Sequence, residues 1–208
     1  MNQNRTLAVL LALMTAVFVF VGSGKTGKSG TAHGLMEALY PHRVKCHYDP
    51  DRLFTKSPFP GYILAHTFNE IPNGCVCFIE DAAGIFPSRG SNSDPKVQKW
   101  LGRASHKDII LVLTVQSTAD VDKALFRSQN TIQVLKEMYD EDIEYERDIQ
   151  KPIQECANRY LRSMAKKYPD EDIRTWSYFP RFHIVMKVIL PLWWNRSHSH
   201  MLEDVALA

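Results

Sequence analysis

The stretch Val17-Phe18-Val19-Phe20-Val21-Gly22-Ser23-Gly24-Lys25-Thr26-Gly27-Lys28-Ser29 decides the fold. Five β-branched and aromatic residues run into a glycine, a Gly-x-x-x-x-Gly-Lys-Ser loop follows, and a helix-compatible segment comes next. The spelling has a physical reason. Gly22, Gly24 and Gly27 are expected to let the backbone take positive φ and approach an anion closely. Successive N–H groups then converge on phosphate, with a helix N-terminus behind them. Lys28 is expected to reach the β- and γ-phosphates of ATP, and the Ser29 hydroxyl to sit on Mg²⁺. Gly22, Ser23, Gly24, Lys25, Thr26, Gly27, Lys28, Ser29 and Gly30 form the expected nucleotide-binding segment. A second Gly-Lys-Thr, at Gly24-Lys25-Thr26, is out of frame, because Val19 stands where its first glycine is needed.

The bulk numbers frame this motif. The chain has 208 residues, 45% of them apolar, which suits one compact domain with additions and a proper core. Its formal net charge of +2 excludes a large basic field, so any nucleic-acid contact must come from a local patch. Cys46, Cys75, Cys77 and Cys156 lack zinc-site spacing and read as reduced, buried thiols, in keeping with a cytosolic compartment. Arg5 followed by Leu7 to Val21 resembles a signal peptide or short membrane anchor. The run is about 15 residues, short for a span, and its end is the strand that the loop requires. The reading adopted is a buried segment, with a short helix or turn over Leu7–Met14 and then a strand; a membrane-tethered form is the alternative.

Beyond the loop, Thr31–Tyr40 reads as a helix stopped by Pro41. Arg43–Tyr48 reads as a strand, Asp49–Gly61 as a loop and Tyr62–Glu70 as a short helix. Cys75-Val76-Cys77-Phe78-Ile79-Glu80-Asp81 is an apolar run ending in two acids, the pattern of a parallel strand buried on both faces. A strand of this kind delivers one acid to the Mg²⁺ shell and a neighbour to polarise the attacking water. Glu80 matches the metal-side position and Asp81 the base-side position, the reverse of the common Asp-then-Glu order, which leaves either acid as the base.

Asp94 and Pro95 look like the cap and first turn of a helix over Pro95–His106. Lys96, Lys99 and Arg103 share a face of it, with Lys107 just beyond; a solvated face and a DNA-phosphate-contacting face both account for them. Ile109–Val115 is another buried strand. It ends at Gln116, placed to sense the γ-phosphate or its water, since ligands gather at the carboxyl ends of strands in open parallel sheets. Ala119–Ser128 reads as a helix, Thr131–Leu135 as a strand, Glu137–Glu146 as an acidic segment and Ile149–Lys167 as a long helix. Arg181–Ile189 alternates like a strand, and His198 and His200 sit in a polar tail.

Together, the loop at Gly22–Ser29, the run CFIEDAAGIFPSRG at Cys77–Gly90 and the run RASHKDIILVLTVQSTADVDKALFRS at Arg103–Ser128 resemble the FtsK–HerA superfamily of P-loop ATPases. Within it the chain is similar to the genome-packaging ATPases of membrane-containing icosahedral viruses and to the zonula-occludens-toxin-like assembly ATPases of filamentous phages. The resemblance implies an α/β fold, with a RecA-like P-loop NTPase core, a mostly parallel central sheet flanked by helices, and a helical and short-strand C-terminal extension. Residues 1–140 would form the core and 141–208 the extension. It implies ATP and Mg²⁺ as cofactors, catalytic roles for Lys28, Glu80, Asp81 and Gln116, and metal contacts from Ser29 and Glu80. It further implies a homo-oligomeric ring, pentamer or hexamer, around double-stranded DNA. A neighbouring subunit would supply an arginine finger, with Arg127 and Arg89 ranked ahead of Arg103. DNA translocation into a capsid is the expected function, in the virion or host cytoplasm, with contacts to capsid-vertex or viral inner-membrane proteins. The alternatives are a filamentous-phage assembly ATPase at the host inner membrane, a small-molecule kinase and an inactive nucleotide-binding subunit.

Overall fold

The computed structural model describes residues 17–88, 94–127, 130–195 and 198. The segment Leu7–Met14, Arg89, Ser128 and His200 lie outside them. The elements run β1 (Val17–Val21), α1 (Lys28–Leu39), β2 (Lys45–Tyr48), β3 (Ile63–Ala65), β4 (Val76–Ile79), α2 (Pro95–His106), β5 (Ile110–Val115), α3 (Ala124–Arg127), β6 (Thr131–Leu135), α4 (Asp140–Tyr145), α5 (Lys151–Lys167), β7 (Trp176–Phe179) and β8 (Ile184–Lys187). The chain is an α/β protein built on one mixed eight-stranded sheet, ordered β3-β2-β4-β5-β1-β6-β7-β8. Every pairing from β3 across to β6 is parallel. Strands β7 and β8 extend the same sheet antiparallel.

Side-chain alternation along the central strands divides the core into two layers. Phe18, Phe20, Val76, Phe78, Ile110 and Val112 face Ala32, Leu35 and Met36 of α1. Val19, Val21, Cys77, Ile79, Leu111 and Leu113 face the other layer, closed by Val97 and Ala104 of α2, Leu125 of α3 and Ala157 of α5. Burial on both faces explains why β1 and β4 read as unbroken apolar runs and β5 as a run broken only by Thr114. Cys46, Cys75 and Cys77 are buried free thiols, while Cys156 is only partly buried. Among the described residues no helix is long and apolar enough to cross a membrane.

Three local expectations change. Tyr62–Glu70 is not a helix: Ile63–Ala65 pairs in parallel with β2, and only a 3-10 turn at Phe68–Glu70 follows. Pairing at the sheet edge outweighs local helix propensity there. The helix expected from Ala119 begins only at Ala124. Ser117 accepts the Ala119 N–H and Asp122 accepts the Ala124 N–H, so each side chain turns the backbone before a helix can start. Val121 is held instead in a bridge with Pro87. His198, expected in a solvated tail, stacks on Trp194 with ring centroids 5.4 Å apart.

Candidate functional site

The register of the three central strands builds the site. Val21 of β1 is level with Val115 of β5, and Ile79 of β4 with Leu113. The loop after β1, the end of β5 and the acids after β4 therefore meet at one edge of the sheet, at the carboxyl ends of parallel strands.

The loop is tightly internally bonded. Lys28 Nζ donates to the carbonyls of Gly22 and Ser23 at 2.8 and 2.7 Å. Thr26 Oγ1 donates to Ser23 O at 2.8 Å. Gly27 takes a left-handed φ of 86°, and a Cβ there would stand 2.6 Å from the Arg174 carbonyl. Gly22 is also at positive φ, 157°, as expected, but the third such residue of the loop is Lys25, at φ 63°, and not Gly24. Burial lowers the Lys28 pKa to about 8, against the pull of Glu80, Asp81 and Asp142.

Glu80 is the hub of the opposite wall. Its Oε2 accepts Ser29 Oγ at 2.8 Å and Thr114 Oγ1 at 2.7 Å. Its Oε1 faces His33 Nε2 at 3.6 Å, and neither atom has a hydrogen-bond partner. Burial raises the Glu80 pKa, but His33 and the two hydroxyl donors outweigh it and hold the carboxyl below its ordinary value. Asp81 is exposed, in a left-handed conformation at φ 47°, and its N–H donates to Thr114 Oγ1 at 3.1 Å.

The structure thus brings Lys28, Ser29 and Glu80 together, with Asp81 at the lip. Gln116 lies two residues past Thr114, beyond the end of β5, and is exposed. Thr114, not Gln116, is level with Glu80, a placement set by strand register. A further neighbour went unread in the sequence. Helix α4 and the turn before it roof the loop, with Ser23 Oγ donating to the Asp142 carboxylate and accepting the Tyr139 N–H. Periodicity signals neither contact, nor His33, which lies within the continuous buried run Gly30–Met36 of α1.

The arginines and lysines separate by position. Arg127 ends α3 at the opposite edge of the sheet, because the next described residues, Asn130 and Thr131, pair with Val17 at the start of β1. A strand's length, roughly 15 Å, lies between it and its own loop. Arg103 donates to Asn69 Oδ1 at 2.9 Å and covers the Phe68 ring at 4.2 Å. Lys107 donates to Ile71 O and lies over the same ring. Lys96 and Lys99 are exposed on α2.

On the other side of β1, a cleft of about 190 Å³ is lined by Lys25, Thr26, Glu137, Tyr139, Ile173 and Arg174. A metal fits the opposite wall by its chemistry. Ser29 and Glu80 offer hard oxygen donors, and Mg²⁺ is commonly held by one carboxylate plus phosphate oxygens and water. Among the described residues no group of three or more His, Cys, Asp or Glu side chains could hold a metal by itself.

No protein-family model matches the chain, and no curated protein matches it. Solved structures do. The genome packaging NTPase B204 of Sulfolobus turreted icosahedral virus 2, in complex with ATPγS, superposes with a TM-score of 0.50 at 15% identity, over 86% of this chain and 98% of that one. The DNA-packaging ATPase B204 of Sulfolobus turreted icosahedral virus gives 0.51 at 12% identity, over 85% and 98%. The chain has the fold of these P-loop NTPases. B204 has been solved with AMP and AMPPCP as well. The N-terminal domain of zonular occludens toxin from Neisseria meningitidis superposes less well, with a TM-score of 0.43 at 15% identity, over 58% of this chain and 77% of that one.

Proposed function

We propose that this protein is an ATP-hydrolysing motor that translocates double-stranded DNA into a viral capsid as part of a homo-oligomeric ring. The observation that carries the reading is the meeting of Lys28, Ser29, Glu80 and Thr114 at the carboxyl ends of β1, β4 and β5. The fold shared with B204, itself a genome packaging NTPase, supports it.

The strand order supports one direction for the nucleotide in this reading. The acids lie on the β5–β4 side of β1, and the cleft beside Lys25 and Thr26 lies on the β6–β7 side. A triphosphate laid across the loop would have its γ-phosphate on the Glu80 side and its base toward the cleft that Tyr139 and Ile173 line. Lys28 exchanges its two carbonyl partners for phosphate oxygens, a stronger charge-assisted contact. Ser29 and Glu80 would hold Mg²⁺, which would supply neutralisation of the charge developing on the phosphates. Asp81 takes the proton of the attacking water. Arg127, remote from its own loop, faces outward at the far sheet edge and serves a neighbouring subunit's site. There it stabilises charge that develops in the transition state.

Phosphate release with and without double-stranded DNA, alongside the oligomeric mass, tests the proposal. Stimulation by DNA that fades with rising salt is expected, because each phosphate contact releases counterions. Lys28→Ala is expected to abolish turnover; unchanged turnover in that variant overturns the site assignment. Turnover indifferent to DNA overturns the motor reading.

A further inference from the structure

Two buried polar atoms without partners face each other beside the candidate metal site. They are His33 Nε2 and Glu80 Oε1, 3.6 Å apart. The His33 side chain is fully buried and that of Glu80 is 9% exposed. Buried polar atoms are normally satisfied, and each unmet one is costly. A hydrogen bond here needs a closure of about 0.6 Å, to the ordinary N–H···O distance. A small rotation of the Glu80 carboxyl supplies that.

Aromatic rings hold the His33 ring in place. Its ring stacks on Phe78 with centroids 4.2 Å apart and is packed by Phe59, Tyr62, Trp193 and Trp194. Its Nδ1 lies 2.9 Å from the Tyr62 hydroxyl. The Tyr62 hydroxyl can donate or accept, whereas the Glu80 carboxylate can only accept, so the arrangement that satisfies both has Tyr62 donating to Nδ1. With Nδ1 accepting from Tyr62, the neutral ring carries its proton on Nε2, aimed at the carboxylate. Trp193 and Trp194 belong to the C-terminal segment, strapped across α1. Trp193 Nε1 donates to Glu37 Oε1 at 2.8 Å, and Gly30 has no room for a Cβ because Trp194 Nε1 would stand 2.7 Å from it.

We infer that His33, fixed by Tyr62 and the aromatic cage, is a positioning residue that holds the free oxygen of Glu80 so that the carboxylate meets Mg²⁺ in one orientation. The inference rests on the nucleotide-hydrolysing reading above and explains a departure from the common pattern. A glutamate at the metal position has one more rotatable bond than an aspartate, and so more freedom to lose. Ser29 and Thr114 bond only Oε2, which leaves the carboxyl free to swing about that oxygen. A donor at Oε1 removes that freedom. The C-terminal segment thereby reaches the site through the ring it packs.

The test compares His33→Phe, which keeps the aromatic packing and removes the donor, with His33→Gln, which restores a donor. Tyr62→Phe, which frees the other tautomer, is the third variant. Mn²⁺ binding to the protein with AMPPCP is titrated by electron paramagnetic resonance, and AMPPCP binding is measured separately without metal. For His33→Phe, Mn²⁺ affinity is expected to fall about 10- to 100-fold, the usual scale for groups that orient a metal ligand. Metal-free AMPPCP affinity and the far-UV circular dichroism should be unchanged. His33→Gln should recover most of the loss, and Tyr62→Phe should show part of it. A folded His33→Phe with wild-type Mn²⁺ affinity overturns the inference, as does a His33→Gln no better than His33→Phe. If His33→Phe does not fold, wild-type affinity in Tyr62→Phe overturns it. Wild-type protein that binds neither AMPPCP nor Mn²⁺ overturns the nucleotide reading first, and this inference with it. Wild-type binding with normal affinity in the variants sinks this inference alone.

Discussion

The Thr114 hydroxyl bonds both members of the acid pair, donating to Glu80 Oε2 at 2.7 Å and accepting the Asp81 N–H at 3.1 Å. One side chain at the end of β5 thus fixes the carboxylate beside Ser29 and the left-handed turn that presents Asp81.

Thr114→Val removes that hydroxyl at nearly constant shape. The exposed Asp81 N–H loses its acceptor, and stability should fall by about 0.5–1.5 kcal/mol, the net worth of an ordinary hydrogen bond. Turnover should fall about 10- to 100-fold, with nucleotide affinity little changed. Chemical denaturation and phosphate release, run on the same preparation, check both.

The two acids should separate by measurement. Asp81→Asn is expected to keep ATP and metal binding and to lose about 10²- to 10⁴-fold in turnover, the range for a general base. Glu80→Gln should weaken metal binding as well, because its carboxylate bonds Ser29. Equal loss of metal affinity in both variants contradicts the division of roles.

The basic face of α2 divides in the same way. Lys96→Ala and Lys99→Ala should each weaken DNA binding across sequences and lower the salt slope by about one. Arg103→Ala should instead lower thermal stability, since its guanidinium is spent on Asn69 and Phe68. Filter binding at several salt concentrations and a melting curve distinguish them.

Lys136 provides a pH test. It is fully buried, beneath α1, and its three N–H bonds are shared among four acceptors, Thr31 Oγ1, Ser177 Oγ and the carbonyls of Arg174 and Trp176. Burial lowers its pKa to about 7, with Asp172 opposing and Lys28 adding to the effect. The unfolded chain then binds the extra proton between about pH 7 and the ordinary lysine value of 10.5. Stability should therefore rise with pH across that window, by at most about 1.4 kcal/mol per pH unit from this group. Lys136→Met should flatten the rise; Tm between pH 7 and 9.5 for both proteins measures it. Lys28, lowered to about 8, contributes a smaller rise of the same sign that persists in the variant.

What the sequence determined by itself was whatever has a local cause. The phosphate loop is spelled by backbone geometry within eight residues, and its helix, α1, follows directly. The buried strands β1, β4 and β5 are written as apolar runs, and α2 is bounded by its own Asp94–Pro95 cap. The pair Glu80-Asp81 stands at the end of its strand for the same reason.

Contacts between distant segments were decided by tertiary structure alone. Ser29 and Glu80 are 51 residues apart, and Ser23 and Asp142 are 119 apart. Parallel register placed Thr114 level with Glu80 and left Gln116 two residues beyond, an offset that no spacing along the chain encodes. β7, which carried no alternation long enough to read, became a strand by pairing with β6 and β8. Arg127 went to the far edge because a parallel strand must begin where its neighbour begins. Periodicity reports which face of an element is buried; what lies against that face depends on how the elements pack. That packing put Tyr62, Phe78 and two tryptophans around His33.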